Sequence, residues 1–450
     1  MGYKESDGAD RTPVTVIAIT EPDRSPDRFY RMPRPADPMY VLGRAETDGA
    51  PGAETGGDSD AETGGDPGTE AGGDPGTEAD LDAGSDRDGE THRPPHTARI
   101  GSFLARDGSA GASVGVDLDR PHAGVVFGKR GTGKSYTLGV LAEELADADG
   151  VAPVVVDPMG VFAGLEAVGG RVVDPAVRPA SIPPSEWPDL LALDPASGPG
   201  SLVWRVVADA VDDGNGDAVG ADGSADPGRS GGPSPSLAAL REAVDAADAL
   251  AETRRAAVNH LRLAASWGVF DADAPPVASL AADGDPAVLD LAGVPDAAAA
   301  AVVRAVARGL YDARIDGGLP RLPWLLVDEA HAFFDGIAEP ALRTLLTRGR
   351  APGVSLVCAT QRPAALPSVA VSQSDLLVSH RLTAARDVDR LAEAEATYLA
   401  GDLASRLPEG IGEALVVDDA TETVHTVRIR ERRTPHEGES PRASRLSGPG

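Results

Sequence analysis

The run Gly128-Lys129-Arg130-Gly131-Thr132-Gly133-Lys134-Ser135 fits the phosphate-binding pattern GxxxxGK[ST] at every fixed position. Glycines at 128, 131 and 133 let the backbone curl so that successive N–H groups point inward at a phosphate. The helix that begins at the end of the run adds its positive dipole end. Lys134 is placed to reach the β- and γ-phosphate oxygens, and the Ser135 hydroxyl to ligate Mg²⁺. Only three lysines occur in the chain, and two of them, Lys129 and Lys134, lie here. Residues 128 to 135, with Tyr136 after them, are the expected nucleotide contacts, and ATP with Mg²⁺ is the expected ligand.

A second set of chemically capable residues closes the apolar run Trp324-Leu325-Leu326-Val327 with Asp328-Glu329-Ala330-His331. Two acids at the end of a buried strand, the arrangement named Walker B, divide the work. Asp328 holds Mg²⁺ directly or through water, and Glu329 orients and deprotonates the attacking water. His331 reads either as a surface or supporting histidine or as a catalytic one. Another apolar run, Val354 to Ala359, ends in Thr360-Gln361-Arg362-Pro363, which puts Gln361 where it can sense the γ-phosphate or hold the lytic water.

These residues need strands to carry them and helices to cover the strands. Ala123–Phe127 reads as a strand before the loop, and Tyr136–Ala146 as a helix with Leu138, Leu141 and Leu145 on one face. Further strand candidates are Pro153–Val156, Arg171–Val173, Ala287–Leu291, Trp324–Val327, Val354–Ala359 and Leu376–Val378. Several are apolar throughout, as strands buried on both faces are, which predicts a mostly parallel α/β sheet with helices on each side. Leu237–Ala251, Glu252–Trp267 and Ala297–Asp312 supply helices, and Glu413–Val417 with Val424–Ile429 a closing hairpin. Residues 1–45, which contain the alternating stretch Val14–Ile19, read as a small N-terminal β element. Residues 46–98 are an acidic low-complexity linker, because such a composition cannot offset its ordering entropy. The catalytic domain is expected over 99–436, with a disordered loop from Asp212 to Ser236 and a disordered tail over 437–450.

Arginine and lysine together number 41 against 71 acids, for a net charge of −30. Residues 1–98 account for −13, so the folded part is acidic too. This balance suggests a protein solvated in concentrated salt, as in halophiles, rather than one with an acidic partner. The single cysteine, Cys358, excludes an intramolecular disulfide and sits in an apolar run as a small core residue. With no secretory signal and no apolar run of about 18 residues, a soluble, cytoplasmic protein without a membrane anchor is expected.

The chain resembles the HerA branch of the HerA/FtsK superfamily of P-loop motor ATPases from about Ile100 to His436. The resemblance is carried by Ile100-Gly101, the phosphate loop, Asp157-Pro158-Met159-Gly160 and the Asp328-Glu329-Ala330-His331 box. It continues through Arg348-Gly349-Arg350, Gly353, Thr360-Gln361-Arg362-Pro363, Ser372-Gln373, His380-Arg381-Leu382 and Val427-Arg428-Ile429-Arg430 to His436. It implies a RecA-like P-loop domain in a homo-hexameric ring, with ATP between subunits, translocating on double-stranded DNA and often working with a nuclease. It also implies an arginine supplied in trans to the γ-phosphate: Arg348 or Arg350, with Arg381 a further candidate. Residues 1–45 are short for the N-terminal barrel of that family. The cluster Arg428, Arg430, Arg432 and Arg433 reads as the lining of a DNA pore or as an ion-paired edge. Two other readings are a nucleotide-dependent switch that moves no DNA and a conjugation- or secretion-type pump ATPase.

Overall fold

The computed structural model describes residues 39–43, 96–105, 107–216, 234–383, 386–387, 407–418 and 423–436. In chain order they form β1 (Tyr40–Leu42), β2 (Thr97–Leu104), β3 (Ala110–Asp117), β4 (Ala123–Phe127), α1 (Lys134–Ala146), β5 (Val151–Asp157) and β6 (Arg171–Val173). A helical insertion follows, with α2 (Trp187–Leu190), α3 (Gly198–Gly216), α4 (Leu237–Ala246) and α5 (Ala251–Ser266). The chain returns through β7 (Ala287–Asp290), α6 (Asp296–Ile315), β8 (Leu322–Val327), α7 (Glu339–Arg348), β9 (Ser355–Thr360), α8 (Ser368–Ser372) and β10 (Leu376–Ser379). It closes with β11 (Glu413–Asp418) and β12 (Thr423–Ile429).

All twelve strands join one sheet in the order β1-β3-β2-β12-β11-β10-β4-β9-β8-β5-β7-β6. From β10 to β6 every pairing is parallel. From β10 to β3 every pairing is antiparallel. The mostly parallel α/β sheet expected from the apolar runs is therefore the fold, and the C-terminal hairpin closes it as expected.

Alternate residues of the central strands feed two cores, as the two-residue period of a strand requires. Val154, Val156, Leu325, Val327, Leu356 and Cys358 face one core with α6 and α7. Val155, Trp324, Leu326, Val357 and Ala359 face the other, with Leu138, Leu141 and Leu145 of α1. Each fully buried side chain of this kind stabilises the fold by roughly 1.5–3 kcal/mol. Burial pushes the Cys358 thiol up to about 12, so it behaves as a core residue.

The structure differs from the sequence expectations in three places. First, the tract from Asp212 begins as helix: α3 continues to Gly216, and Ser236 caps α4 by accepting a bond from the Ala239 N–H at 3.1 Å. The apolar side of α3, with Val206 and Val207 buried, lets the helix propagate into the polar tract. Residues 217–233 lie outside the described residues. Second, α4 stops at Ala246, where Ala247 turns extended, so the helix read to Ala251 is shorter. Third, β2 and β3 escaped the pattern reading because Gly101 in β2 and Gly111 and Gly115 in β3 dilute their apolar content. Tyr40–Leu42 pairs with β3 in parallel, so part of the N-terminal 45 residues joins the main sheet. Val14–Ile19, most of the 46–98 linker and the 437–450 tail lie outside the described residues. Among the described residues no helix is long and apolar enough to cross a membrane.

Candidate nucleotide site

Strand order brings the expected residues together. β4 leads into the phosphate loop, β8 ends at Asp328, and β9 runs parallel between them, so Thr360-Gln361 emerges from the strand that separates the two motifs. Gly133 caps α1 with φ at 124°, a backbone conformation that side-chain-bearing residues rarely adopt. Gly128 and Thr132 are buried, whereas Lys129, Arg130 and Gly131 are exposed. The Lys129 N–H donates to the Arg381 carbonyl at 3.0 Å, and the Thr132 N–H and hydroxyl both donate to the Lys129 carbonyl. The loop is thus held by its own hydrogen bonds.

Lys134 is buried at the start of α1. Loss of solvent pulls its pKa down, and the charges of Glu329 and Asp328 pull it back up. The Ser135 hydroxyl donates to Asp328 Oδ2 at 2.6 Å. Asp328 is itself 1% exposed, and burial raises its pKa against the hydrogen bonds from Ser135 and from the Glu329 N–H. Two oxygen ligands side by side on a phosphate loop suit Mg²⁺, which takes one or two protein ligands and completes its shell with phosphates and water. Among the described residues no group of three or more His, Cys, Asp or Glu side chains is placed to hold a metal alone. Residues and ion therefore fit if the phosphates supply the remaining ligands.

Glu329 follows Asp328 in the left-handed region, with φ at 45°. Its Oε2 is buried and has no hydrogen bond among the described residues. His331 Nδ1 stands 3.4 Å from that oxygen and 3.2 Å from Thr360 Oγ1. Burial and the charges of Arg362 and Lys134 lower the His331 pKa, so the ring is neutral near pH 7. The left-handed backbone aims this carboxylate into the site, where the oxygen can accept a hydrogen bond. Gln361, the residue after Thr360, is half-buried.

His380, directly after β10, was part of the resemblance but was given no role by the sequence reading. It is fully buried under the phosphate loop, where Cβ atoms added at Gly128 or Gly133 would meet it. His380 Nδ1 lies 2.8 Å from the Glu413 carbonyl and Nε2 lies 2.9 Å from Thr137 Oγ1. A carbonyl only accepts, so Nδ1 carries the proton and Nε2 accepts from Thr137. Burial pulls its pKa down to about 4. A polar residue ending an apolar strand was the available signal, but only the fold shows that β10 lies beside β4. Asp157, at the end of β5, is likewise buried, and burial raises its pKa while the Phe162 and Met159 N–H groups donate to it.

The arginines fall into two groups. Arg348 and Arg381 are exposed and form no ion pair among the described residues. Arg350 reaches Asp375 at 3.5 Å. The C-terminal cluster is ion-paired within the chain: Arg428 with Glu413, Arg430 with Glu143 and Glu144, Arg432 with Glu143, and Arg433 with Asp147. Of the two readings of this cluster, the ion-paired edge is the one present.

Residues 98–310 match the family model described as Helicase HerA, central domain. No curated protein matches the chain. Among solved structures, VirB4 of Thermoanaerobacter pseudethanolicus aligns at a TM-score of 0.56 and 18% identity, covering 75% of this chain and 97% of that one. The bacterial conjugative coupling protein TrwB aligns at a TM-score of 0.48 and 16% identity, covering 77% and 98%. The first likeness supports the P-loop NTPase-type fold described above. Over residues 98–310, which carry the phosphate loop, the chain is similar to the HerA central-domain family.

Proposed function

We propose that this protein is an ATP-hydrolysing HerA-type motor that works on double-stranded DNA as a homo-hexamer. The observation that carries the reading is the convergence of Lys134, Ser135, Asp328 and Glu329 at the ends of neighbouring strands, with a 2.6 Å Ser135–Asp328 bond already formed. In this reading the N–H groups of residues 128 to 136 orient the triphosphate and Lys134 neutralises its β- and γ-oxygens. Ser135 and Asp328 would hold Mg²⁺, which supplies charge neutralisation on the transferred phosphoryl group. Glu329 takes the proton of the attacking water, and Gln361 positions that water. An arginine of a neighbouring subunit, Arg348, Arg350 or Arg381, stabilises the charge that develops. A nuclease partner would fit DNA end processing.

The test is steady-state ATPase in molar KCl with and without linear double-stranded DNA, beside Glu329→Gln. DNA-stimulated turnover that the variant loses supports the motor. The intramolecular pairing of all four C-terminal arginines favours one second reading, a nucleotide-dependent switch that signals to a protein and moves no DNA. Turnover indifferent to DNA would select it.

A further inference from the structure

After β12 the chain does not leave the domain but runs back along α1, and it is locked there. Glu143, fully buried on α1, accepts hydrogen bonds from the Thr434 N–H at 2.9 Å and hydroxyl at 2.7 Å, from the Arg433 N–H at 3.1 Å and from Arg430 at 2.8 Å. Arg432 crosses the helix at Gly139, where a Cβ would stand 2.4 Å from its guanidinium carbon. Its N–H donates to the Tyr136 hydroxyl at 2.6 Å, and its guanidinium lies about equally far from the rings of Tyr136 and Phe162, at 6.0 and 5.9 Å. The segment ends with His436 edge-on to Tyr136, ring centroids 5.6 Å apart at 87°. Arg432 Nη1 lies 3.1 Å from His436 Nδ1. A guanidinium only donates, so Nδ1 accepts and the ring proton sits on Nε2.

This aromatic pair occupies a particular place. Tyr136 directly follows Ser135. On a phosphate loop the backbone N–H groups cradle the α- and β-phosphates and the lysine reaches the β- and γ-phosphates, so the sugar and base leave from the α end, beside the first turn of the helix. Both Tyr136 and His436 are half-buried. The Glu143–Thr434 lock would hold the segment on α1 whatever residue stood at 436, and it does not require an aromatic ring beside the loop.

We propose that Arg432–His436 forms the wall of the base pocket, with the His436 ring packing against the purine base of the bound nucleotide and Tyr136 bracing it. Arg432 is a positioning residue that holds the His436 ring and its tautomer. The inference rests on the nucleotide reading above and deepens it, since it assigns recognition of the base, not of the phosphates, to the segment that follows β12.

Calorimetric titration of the full chain with Mg-ATP and with Mg-tripolyphosphate, which has no base, separates the two. His436→Ala should weaken ATP binding by roughly tenfold, the scale of one base–aromatic stack, while tripolyphosphate binding stays within about twofold. His436→Phe should restore most of the ATP affinity, and thermal unfolding of both variants should match the parent. Equal weakening of both ligands would show that the segment only supports the loop and would overturn the proposal, as would unchanged ATP binding in His436→Ala. If the parent chain binds neither ligand, the nucleotide reading itself fails and this inference fails with it, a result distinct from the other two.

Discussion

The Ser135 hydroxyl donates to Asp328 across 193 residues of chain, at 2.6 Å. This bond joins the phosphate loop to the acidic strand end and preforms the pair of oxygens that Mg²⁺ would use. It also exposes a conflict between stability and function. Burial raises the Asp328 pKa, so the folded state holds a proton that the unfolded chain releases at lower pH. As pH rises past the unfolded value, ionising this carboxyl therefore costs stability.

Asp328→Asn should accordingly leave the nucleotide-free protein at least as stable as the parent, because the uncharged amide can keep its oxygen on the Glu329 N–H while the Ser135 hydroxyl turns to accept from its NH₂. ATP turnover should fall by about 100-fold or more. Thermal unfolding beside an ATPase assay checks both halves, and a large loss of stability would contradict a burial penalty on the charged carboxylate.

Glu329 has a buried, unpaired Oε2 and a left-handed backbone. Glu329→Gln keeps the shape and removes the base, so kcat should fall by roughly 10² to 10⁴ while ATP binding persists. Single-turnover kinetics with a binding titration separate the two effects. Normal hydrolysis by this variant would remove Glu329 from the proposed role.

His380 gives the protein an acid sensitivity. Its pKa is about 4 in the folded state against an ordinary 6.5, so the unfolded chain takes up the proton first and stability falls as pH drops from 6.5 toward 4. Between pH 7 and pH 5 this one residue should cost about 2 kcal/mol. His425, also pulled down to about 4 by burial, acts in the same direction. Urea unfolding at the two pH values should show a smaller loss for His380→Gln, which keeps a donor and an acceptor but does not titrate.

Glu143 anchors the C-terminal segment. Burial penalises its charge, yet the hydrogen bonds from Thr434, Arg433 and Arg430 outweigh that penalty and hold its pKa below the usual value. Glu143→Ala would leave Arg432 buried without its partner, and the unfolding free energy should drop by about 3–5 kcal/mol. Chemical denaturation measures it directly.

An arginine acting in trans can be found by mixing variants. If Arg348 is that residue, Arg348→Ala should lose about 10³-fold in kcat with ATP binding intact. Mixed with Lys134→Ala subunits, which lack a working loop but keep Arg348, it should regain part of its turnover. The same pairs made with Arg350→Ala and Arg381→Ala assign the role by which mixture recovers.

Residue order was enough for the parts whose signals are local. The phosphate loop needs glycines, one lysine and one hydroxyl within eight residues, and Walker B needs two acids after an apolar run, so both are legible along the chain. The central strands are legible for a related reason: burial on both faces leaves continuous apolar runs such as Pro153–Val156, which falls within β5. Whatever depends on which strands are neighbours was settled only by folding. The sheet placed β9 between β4 and β8 and put His380 under the loop through the β10–β4 pairing, and the chain path set Glu329 in a left-handed turn. Folding also resolved the arginine cluster, because a row of charges along the chain has the same sequence whether it faces solvent or the carboxylates of α1. Glu143 and Thr434, 291 residues apart, make that difference, and only the folded sheet brings them together.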